Sequence, residues 1–366
     1  MLVFLIATTA DFIKILPIQQ RLAAFSTRTE IWSTGQQPHD LLGATGAAGT
    51  KIDLWIHRNP RKPNLTARLQ VPGWLAGMTI AALKNARPLR ERIRCGSGEP
   101  ALVVHGDTMS AAWGIYLARL LKIDLIHVEA GLRSGHITDP FPEEISRRLI
   151  GRCAKIHYAP TASAASNLTR HGSRVVVTSG NTVIDSVRDA KARQVPTLQV
   201  GEYALVSLHR SELLSNSTVL QETVKELVEL SQEIRLHVLL DSLTLAALDR
   251  HGLTSQLTLQ DNVRLLEKMP HADFLGEVRH AAFVITDSGG LQEECAYLGV
   301  PCLVHRRTTE RSDGLGKNVV LSQWSQDAII SFPKAAQNLR RPIDEHDLSP
   351  SDVIVHDLIE RGYVDP

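Results

Sequence analysis

Short runs of consecutive apolar residues alternate with helical patterns along this chain of 366 residues, and each run ends in small or polar residues. A strand with one solvated face would alternate apolar and polar residues, so continuous apolar runs indicate parallel strands covered on both faces. The pattern predicts an α/β fold with doubly wound parallel sheets. The predicted strands are LVFLIA, TEIWST, ALVVHG, DLIHVEA, KIHYAP and RVVVTSG, then YALVSLHR, RLHVLLD, NVRLLEKM, AAFVITDSGG and PCLVHR.

The cycle of strands and helices begins again near residue 200, which predicts two domains. Residues 186–200 mix charges with a proline and carry no periodic pattern, as a linker does. We therefore expect an N-terminal domain at 1–185, a C-terminal domain at 200–345 and a helical tail at 346–366, capped by Ser349 or Ser351. Ligands of open α/β sheets bind beyond the carboxyl ends of the strands, so we expect the two sheets to face each other across a ligand-binding cleft.

Composition argues against several classes of function. Forty basic and thirty-nine acidic residues give a net charge of +1, which does not favour nucleic-acid binding through bulk charge. The four cysteines lie far apart without a CxxC pair, which is typical of a reducing cytoplasm rather than a disulfide framework or a zinc site. No apolar run reaches the ~18 residues that a membrane span needs, and we interpret the apolar N-terminus as a buried strand.

The stretch TDSGGLQEE places a serine and two glycines between a predicted strand and a predicted helix. Glycine lets a ligand approach the backbone closely, and the free N–H groups of a helix start attract anions. Ser288 can add a hydroxyl donor, and Glu294 can accept hydrogen bonds from sugar or ribose hydroxyls. The plainer interpretation is a tight turn whose two acids only favour the helix dipole.

Polar side chains also follow other predicted strands. Asp107 and Glu129 come from the first domain, and Glu143 and Arg147 lie at i, i+4 on one predicted helix face. His209 and the Arg306, Arg307 and Arg311 group follow strands of the second domain. Taken singly, these residues could be a surface pair, a core histidine and solvated arginines. Together they suit a phosphorylated ligand held by arginines and helix N–H groups, with carboxylates for proton transfer.

The segments HGDT, HVEAGLRSG, PFPEEISRRL, GNTVIDS, LHRSE and TDSGGLQEECAYLGVPCLVHRRTTER resemble the UDP-N-acetylglucosamine 2-epimerase family, and FPEE resembles its non-hydrolysing bacterial branch. The resemblance implies two Rossmann-like domains in a GT-B-like arrangement, a cytoplasmic homodimer, a UDP-sugar substrate, and no metal or other cofactor. It also implies anti elimination of UDP to a 2-acetamidoglucal and re-addition of UDP. Alternatives are a hydrolysing epimerase that releases free ManNAc, an epimerase of a modified nucleotide sugar, and a GT-B glycosyltransferase.

The resemblance assigns roles to individual residues. The residues that match the family's catalytic positions are Asp107, Glu129, Glu143 and His209. Those that match its positions for binding UDP and substrate are Lys14, Arg147, Phe274, Ser288, Gly289, Gly290, Glu294 and Arg306. Thr9 departs from the pattern, because the family has a phosphate-binding arginine there. Arg306, Arg307 or Arg311 could compensate, or the ligand could differ.

Overall fold

The computed structural model describes residues 1–36, 51–57, 71–96, 98–135, 137, 141–168, 173–191, 201–344 and 348–365. The chain divides into two compact units. Unit 1 comprises Met1–Asp189 and Asp347–Pro366, and unit 2 comprises Ala190–His346. Every predicted strand forms, all recorded strand pairs are parallel, and helices connect them, which confirms the predicted doubly wound α/β class.

The described part of unit 1 contains a seven-stranded parallel sheet in the order β3-β2-β1-β4-β5-β6-β7. Its strands are β1 (Leu2–Ile6), β2 (Thr29–Ser33), β3 (Leu54–Trp55), β4 (Ala101–His105), β5 (Asp124–Val128), β6 (Ile156–Ala159) and β7 (Arg174–Val177). Its helices are α1 (Thr9–Leu22), α2 (Val71–Lys84), α3 (Ala86–Arg94), α4 (Met109–Leu121), α5 (Glu143–Cys153), α6 (Ala162–Ser166), α7 (Val183–Lys191) and α15 (Pro350–Glu360).

Both faces of the unit 1 sheet are buried, as the continuous apolar runs predict. Val3 and Leu5 of β1 pack in one cluster with side chains of α2, α3, α4 and α5. Leu2, Phe4 and Ile6 point to the opposite face and pack with side chains of α1 and α15. Successive strand residues point to opposite faces, so an apolar residue at every position is what two helical layers require.

The C-terminal helix α15 belongs to unit 1. The Ser349 side chain accepts a hydrogen bond from the Asp352 backbone N–H at 3.1 Å, so Ser349 rather than Ser351 caps the helix. Ile354 and Leu358 bury their side chains against α1, and Tyr158 donates a hydrogen bond to Asp357 at 3.0 Å. Residues 192–200 of the predicted linker and residues 346, 347 and 366 of the predicted tail lie outside the described residues.

The described part of unit 2 contains a six-stranded parallel sheet in the order β10-β9-β8-β11-β12-β13. Its strands are β8 (Tyr203–Ser207), β9 (Arg235–Leu239), β10 (Val263–Leu266), β11 (Phe283–Thr286), β12 (Cys302–Val304) and β13 (Val319–Leu321). Its helices are α8 (Ser211–Leu214), α9 (Ser217–Leu230), α10 (Ser242–Arg250), α11 (Thr254–Thr258), α12 (His271–His280), α13 (Gly289–Leu298) and α14 (Ala328–Ala336). Within the described ranges, no helix is both long and apolar enough to cross a bilayer.

Candidate active site

The strand order of each sheet reverses once beside its first strand, between β1 and β4 in unit 1 and between β8 and β11 in unit 2. Connections leave such a switch point in opposite directions and open a crevice at the carboxyl ends of the strands. In unit 1, Asp107 lies two residues after β4 and Glu129 directly follows β5. In unit 2, His209 lies two residues after β8 and Ser288 two residues after β11. Asp107, His209 and Ser288 thus lie at the switch point of their own unit, and Glu129 follows the strand next to it.

Glu129 is a buried carboxylate surrounded by polar partners. The Lys14 ammonium lies 2.5 Å from Glu129 Oε2, and the Asn181 side-chain amide donates to the same oxygen. The Glu129 side chain is only 4% exposed, so an adjacent cation is what makes its negative charge tolerable. Its backbone has a φ of +61°, a left-handed conformation that is uncommon for a non-glycine residue and frequent at functional sites. Lys14, predicted to bind substrate, therefore holds the proposed catalytic glutamate.

Asp107 pairs with Arg147 of α5. The Arg147 Nε donates to Asp107 Oδ2 at 2.8 Å, and its Nη2 lies 2.6 Å from the same oxygen. Arg147 is buried and also donates to Glu144 Oε2 at 3.4 Å. Glu143 is the first residue of α5 and is half-buried. The guanidinium predicted to contact the ligand thus orients a predicted catalytic carboxylate.

Asp11 and His105 lie beside this group, and sequence reasoning did not single them out. Asp11 accepts hydrogen bonds from the Ala7 and Thr8 backbone N–H groups at 3.0 and 3.1 Å. The His105 ring lies between two carboxylates, with Nδ1 at 3.9 Å from Asp11 Oδ1 and Nε2 at 3.7 Å from Glu129 Oε2. Burial raises the pKa of Asp11 to about 7, in spite of its backbone hydrogen bonds, so this carboxyl titrates near neutral pH.

His127 fixes the turn that carries Asp107. Its Nε2 lies 2.7 Å from the Gly106 carbonyl oxygen, which can only accept, so Nε2 carries the hydrogen. Burial lowers the pKa of His127 to about 4, and the ring is therefore neutral at pH 7. Gly106 has a φ of +62°, and a Cβ there would lie 3.4 Å from Glu129 Oε1. The HGDT turn therefore passes directly against the buried glutamate.

In unit 2, helix α13 begins as the sequence predicts. Ser288 is its N-cap residue, and its hydroxyl oxygen accepts from the Leu291 N–H at 3.4 Å, which leaves the hydroxyl hydrogen free to be donated elsewhere. A Cβ on Gly289 would lie 2.5 Å from Arg311 Nε, so this position tolerates no side chain without movement of the arginine. Gly290 follows in the first turn.

Asp287 connects the two strand ends at the unit 2 switch point. Its buried carboxylate accepts from the His209 N–H at 3.0 Å and from the Arg210 N–H at 2.8 Å. The His209 ring itself is 42% exposed, with Nδ1 at 3.7 Å from Asp287 Oδ1. Asp287 thus fixes the backbone of His209 while its ring remains accessible.

The arginines after β12 have different environments. Arg306 is buried and donates to Glu310 Oε2 at 3.0 Å, and Arg311 is buried against Glu293. Arg307 is exposed and forms no ion pair within the described ranges. The charges of Arg306 and Arg311 are therefore already partly neutralised by neighbouring carboxylates.

The remaining predicted residues of unit 2 lie on α12 and α13. The His271 Nε2 lies 2.7 Å from Glu294 Oε1, and Phe274 follows His271 on the same face of α12. Within the described ranges, no group of three or more His, Cys, Asp or Glu side chains is arranged to hold a metal ion.

Several neighbours of the predicted residues were missed, among them Asp11, Asn181, Asp287 and His271. The capping-box spacing of Thr8 and Asp11 was a readable signal for Asp11, because an acidic N3 residue turns back to the helix start. Asn181 lies in the quoted segment GNTVIDS, but a lone amide has no spacing rule. Asp287 follows a strand directly, so the strand-end argument used for Asp107 would have identified it. For His271, the sequence carried no signal.

Comparison with known proteins adds independent observations. The family profile described as UDP-N-acetylglucosamine 2-epimerase matches residues 75–347. The chain is 36% identical over 225 residues to a Bacillus subtilis UDP-N-acetylglucosamine 2-epimerase, covering 58% of each chain. It is 32% identical over 231 residues to the enzyme of the same name from Methanococcus maripaludis, covering 59% of this chain and 63% of that one. These matches span less than two thirds of either relative.

The structural match extends further along the chain. A crystal structure of Methanocaldococcus jannaschii UDP-GlcNAc 2-epimerase in complex with UDP-GlcNAc and UDP superposes with a TM-score of 0.79. That match has 25% sequence identity and covers 98% of this chain and 99% of the other. The similarity of fold thus includes the N-terminal residues that precede the segment matched by the family profile.

Proposed function

Because the chain belongs to the UDP-N-acetylglucosamine 2-epimerase family, we propose that it is an isomerase that inverts C2 of a UDP-2-acetamido sugar, interconverting UDP-GlcNAc and UDP-ManNAc. The observation that carries the proposal is the pair of carboxylates beside the unit 1 switch point. Asp107 and Glu129 are each held by a basic side chain, Arg147 and Lys14. Positioned carboxylates are what proton transfer at a sugar carbon needs.

The proposed reaction has two halves. A base removes the C2 proton while the C1–O bond breaks, its electron pair leaves with UDP, and a 2-acetamidoglucal forms. UDP then attacks C1 again, and an acid delivers a proton to the opposite face of C2. The elimination needs a proton acceptor near C2 and the re-addition needs a proton donor on the opposite face of C2, and we assign these roles to the group Asp107, Glu129, Glu143 and His209.

Unit 2 supplies the groups that suit a departing diphosphate. The N-terminus of α13 offers free N–H groups next to the Ser288 hydroxyl, at a turn where Gly289 and Gly290 allow close approach. Arg306 follows the adjacent strand β12 and adds positive charge. Stabilising the negative charge of the leaving group lowers the barrier to C1–O cleavage. We assign uracil to the backbone near Phe274, and ribose to Glu294.

The finer assignments follow the resemblance in the sequence. FPEE at the start of α5 favours the non-hydrolysing branch, in which UDP rather than water adds to the glucal. A homodimer in the cytoplasm is the assembly and location that this branch implies. A hydrolysing enzyme would share the elimination step and then release free ManNAc and UDP.

The decisive experiment is NMR of the purified protein with UDP-GlcNAc in deuterated water. We expect deuterium at C2 together with UDP-ManNAc. Deuterium with free ManNAc and UDP would assign the hydrolysing reaction instead. A transfer reaction needs no base at C2, so absence of exchange together with sugar transfer to an acceptor would assign a glycosyltransferase. The Glu129→Gln variant is the control, because it keeps the size of the side chain and removes its charge.

A further inference from the structure

His271 begins helix α12, and its ring reaches a side chain of helix α13. Its Nε2 lies 2.7 Å from Glu294 Oε1, and the two side chains are only 12% and 8% exposed. A carboxylate only accepts hydrogen bonds, so His271 Nε2 carries the hydrogen and donates it. The partner that fixes Glu294 thus comes from a different helix and lies 23 residues earlier in the chain.

This bond leaves Glu294 with one oxygen occupied and one available. Glu294 Oε2 accepts no hydrogen bond from the residues that the structure describes. A glutamate side chain has three rotatable bonds, so an unsupported Glu294 would sample many positions and lose that freedom when a ligand binds. A glutamate already fixed through Oε1 presents Oε2 in one orientation without that loss.

The position of the His271–Glu294 pair suits a contact with the nucleotide rather than with the reacting carbons of the sugar. Glu294 lies on the helix whose N-terminus is the Gly289–Gly290 turn, and Phe274 lies one turn after His271 on α12. Both helices begin after strands of the unit 2 sheet, so their N-termini lie at the carboxyl edge where ligands bind. His271 therefore lies at the same edge of the unit 2 sheet as the proposed diphosphate site.

We infer that His271 is a positioning residue for nucleotide binding: by holding Glu294 Oε1 it directs Glu294 Oε2 to accept a hydrogen bond from a ribose hydroxyl of UDP. The inference rests on the proposed function, because it takes a uridine ribonucleotide as the ligand. His271 itself need not touch the nucleotide. If the His271–Glu294 bond served only to join two helices, its loss would affect all nucleotides equally.

The test is calorimetric titration of UDP and of 2′,3′-dideoxy-UDP into wild type, His271→Phe and His271→Gln. In His271→Phe we expect UDP to bind about tenfold more weakly and dideoxy-UDP less than about twofold more weakly, because only UDP has hydroxyls for Glu294. The Gln amide nitrogen can replace Nε2 as donor, so His271→Gln should retain UDP affinity within about threefold. His280→Gln is the matched control, since His280 ends the same helix and lies close to its own Gly276 carbonyl.

A comparison of single and double variants separates a positioning role of His271 from an effect on protein stability. In a Glu294→Gln background, the further change His271→Phe should cost little UDP affinity, since the oriented carboxylate is already gone. Equal weakening of both nucleotides, additive effects of the two changes, or unaltered UDP binding by His271→Phe would each overturn the role of His271. If wild type bound neither nucleotide, the proposed function itself would fail. If wild type and His271→Phe both bound UDP equally well, only the positioning role of His271 would be overturned.

Discussion

Replacing Asp11 with asparagine should stabilise the protein at alkaline pH and leave it almost unchanged at or below pH ~4. Burial raises the pKa of Asp11 from its ordinary 3.8 to about 7, so ionising this carboxyl in the folded protein costs free energy. One pKa unit corresponds to ~1.36 kcal/mol, and the difference between 3.8 and about 7 therefore corresponds to at most about 4 kcal/mol. Asparagine keeps an acceptor for the Ala7 and Thr8 N–H groups and cannot ionise.

The direction of this pH dependence follows from the number of protons that the folded and the unfolded protein bind. Between pH ~4 and about 7 the folded protein retains the Asp11 proton that the unfolded chain has lost. The contribution of Asp11 to the free energy of unfolding is therefore greatest at or below pH ~4. That contribution is lost as the pH rises to about 7. His127 and His305 have pKa values lowered by burial to about 4, and their stabilisation is lost in the opposite direction, as the pH falls below 6.5. Only the difference between variant and wild type isolates Asp11.

Urea unfolding at pH 5 and pH 8, followed by tryptophan fluorescence, measures this difference. Four of the five tryptophans belong to unit 1, so the signal reports chiefly on the unit that contains Asp11. We expect the gain of Asp11→Asn over wild type to be at most about 2 kcal/mol at pH 5 and to reach about 4 kcal/mol at pH 8, because the cost of ionising Asp11 grows by ~1.36 kcal/mol per pH unit between pH ~4 and about 7. Thr161→Ala removes the cap of α6 in the same unit without removing a titrating group, and its effect should not depend on pH. An Asp11→Asn gain of the same size at both pH values would refute the reasoning.

Three further predictions concern the two units. The amide variants of Asp107, Glu129 and Glu143 should lower turnover of UDP-GlcNAc at least about a hundredfold while UDP affinity in calorimetry changes less than about threefold; near-normal turnover in all three would refute the carboxylate assignment. Asp287→Ala should lower the free energy of unfolding in urea by about 2–4 kcal/mol, because two backbone N–H groups lose their acceptor, and Asp287→Asn should lower it less; equal stabilities of the two variants would contradict this. Arg306→Lys keeps the charge but loses the planar fork, and should weaken UDP binding about tenfold in calorimetry; unchanged affinity would assign the diphosphate to Arg307 or Arg311.

The central strands were predictable because burial on both faces leaves a strong mark on sequence. The runs that form β1, β4 and β11 are apolar at nearly every position, a composition that a half-solvated strand would not have. The edge strands β3 and β13 were missed. They have two and three residues, too few for any periodicity, and each pairs with a single strand among the described residues. Their conformation is determined by that neighbour rather than by their own residues.

The same reasoning explains which site residues the sequence could reveal. The carboxyl ends of parallel strands share one edge, so the residues that follow them, such as Asp107 and Ser288, can be predicted from strand positions alone. Their partners depend on which strands are neighbours. Glu129 finds Asn181 52 residues later, and His209 finds Asp287 78 residues later, because the sheets place those segments together. No local pattern encodes such a pairing.

Arg147 shows how much contacts between segments that are distant in sequence matter for assigning roles to residues. Its position four residues after Glu143 predicts a pair on one helix face, and the family resemblance implies that it contacts the ligand. In the structure its buried guanidinium donates to Asp107, across the space between α5 and the end of β4, and to Glu144, and contact with the ligand stays a prediction. A buried arginine that makes these contacts cannot leave them for a phosphate without stranding two carboxylates. The residue type at a site position therefore predicts the charge that the site contains, whereas only the topology determines which group that charge serves.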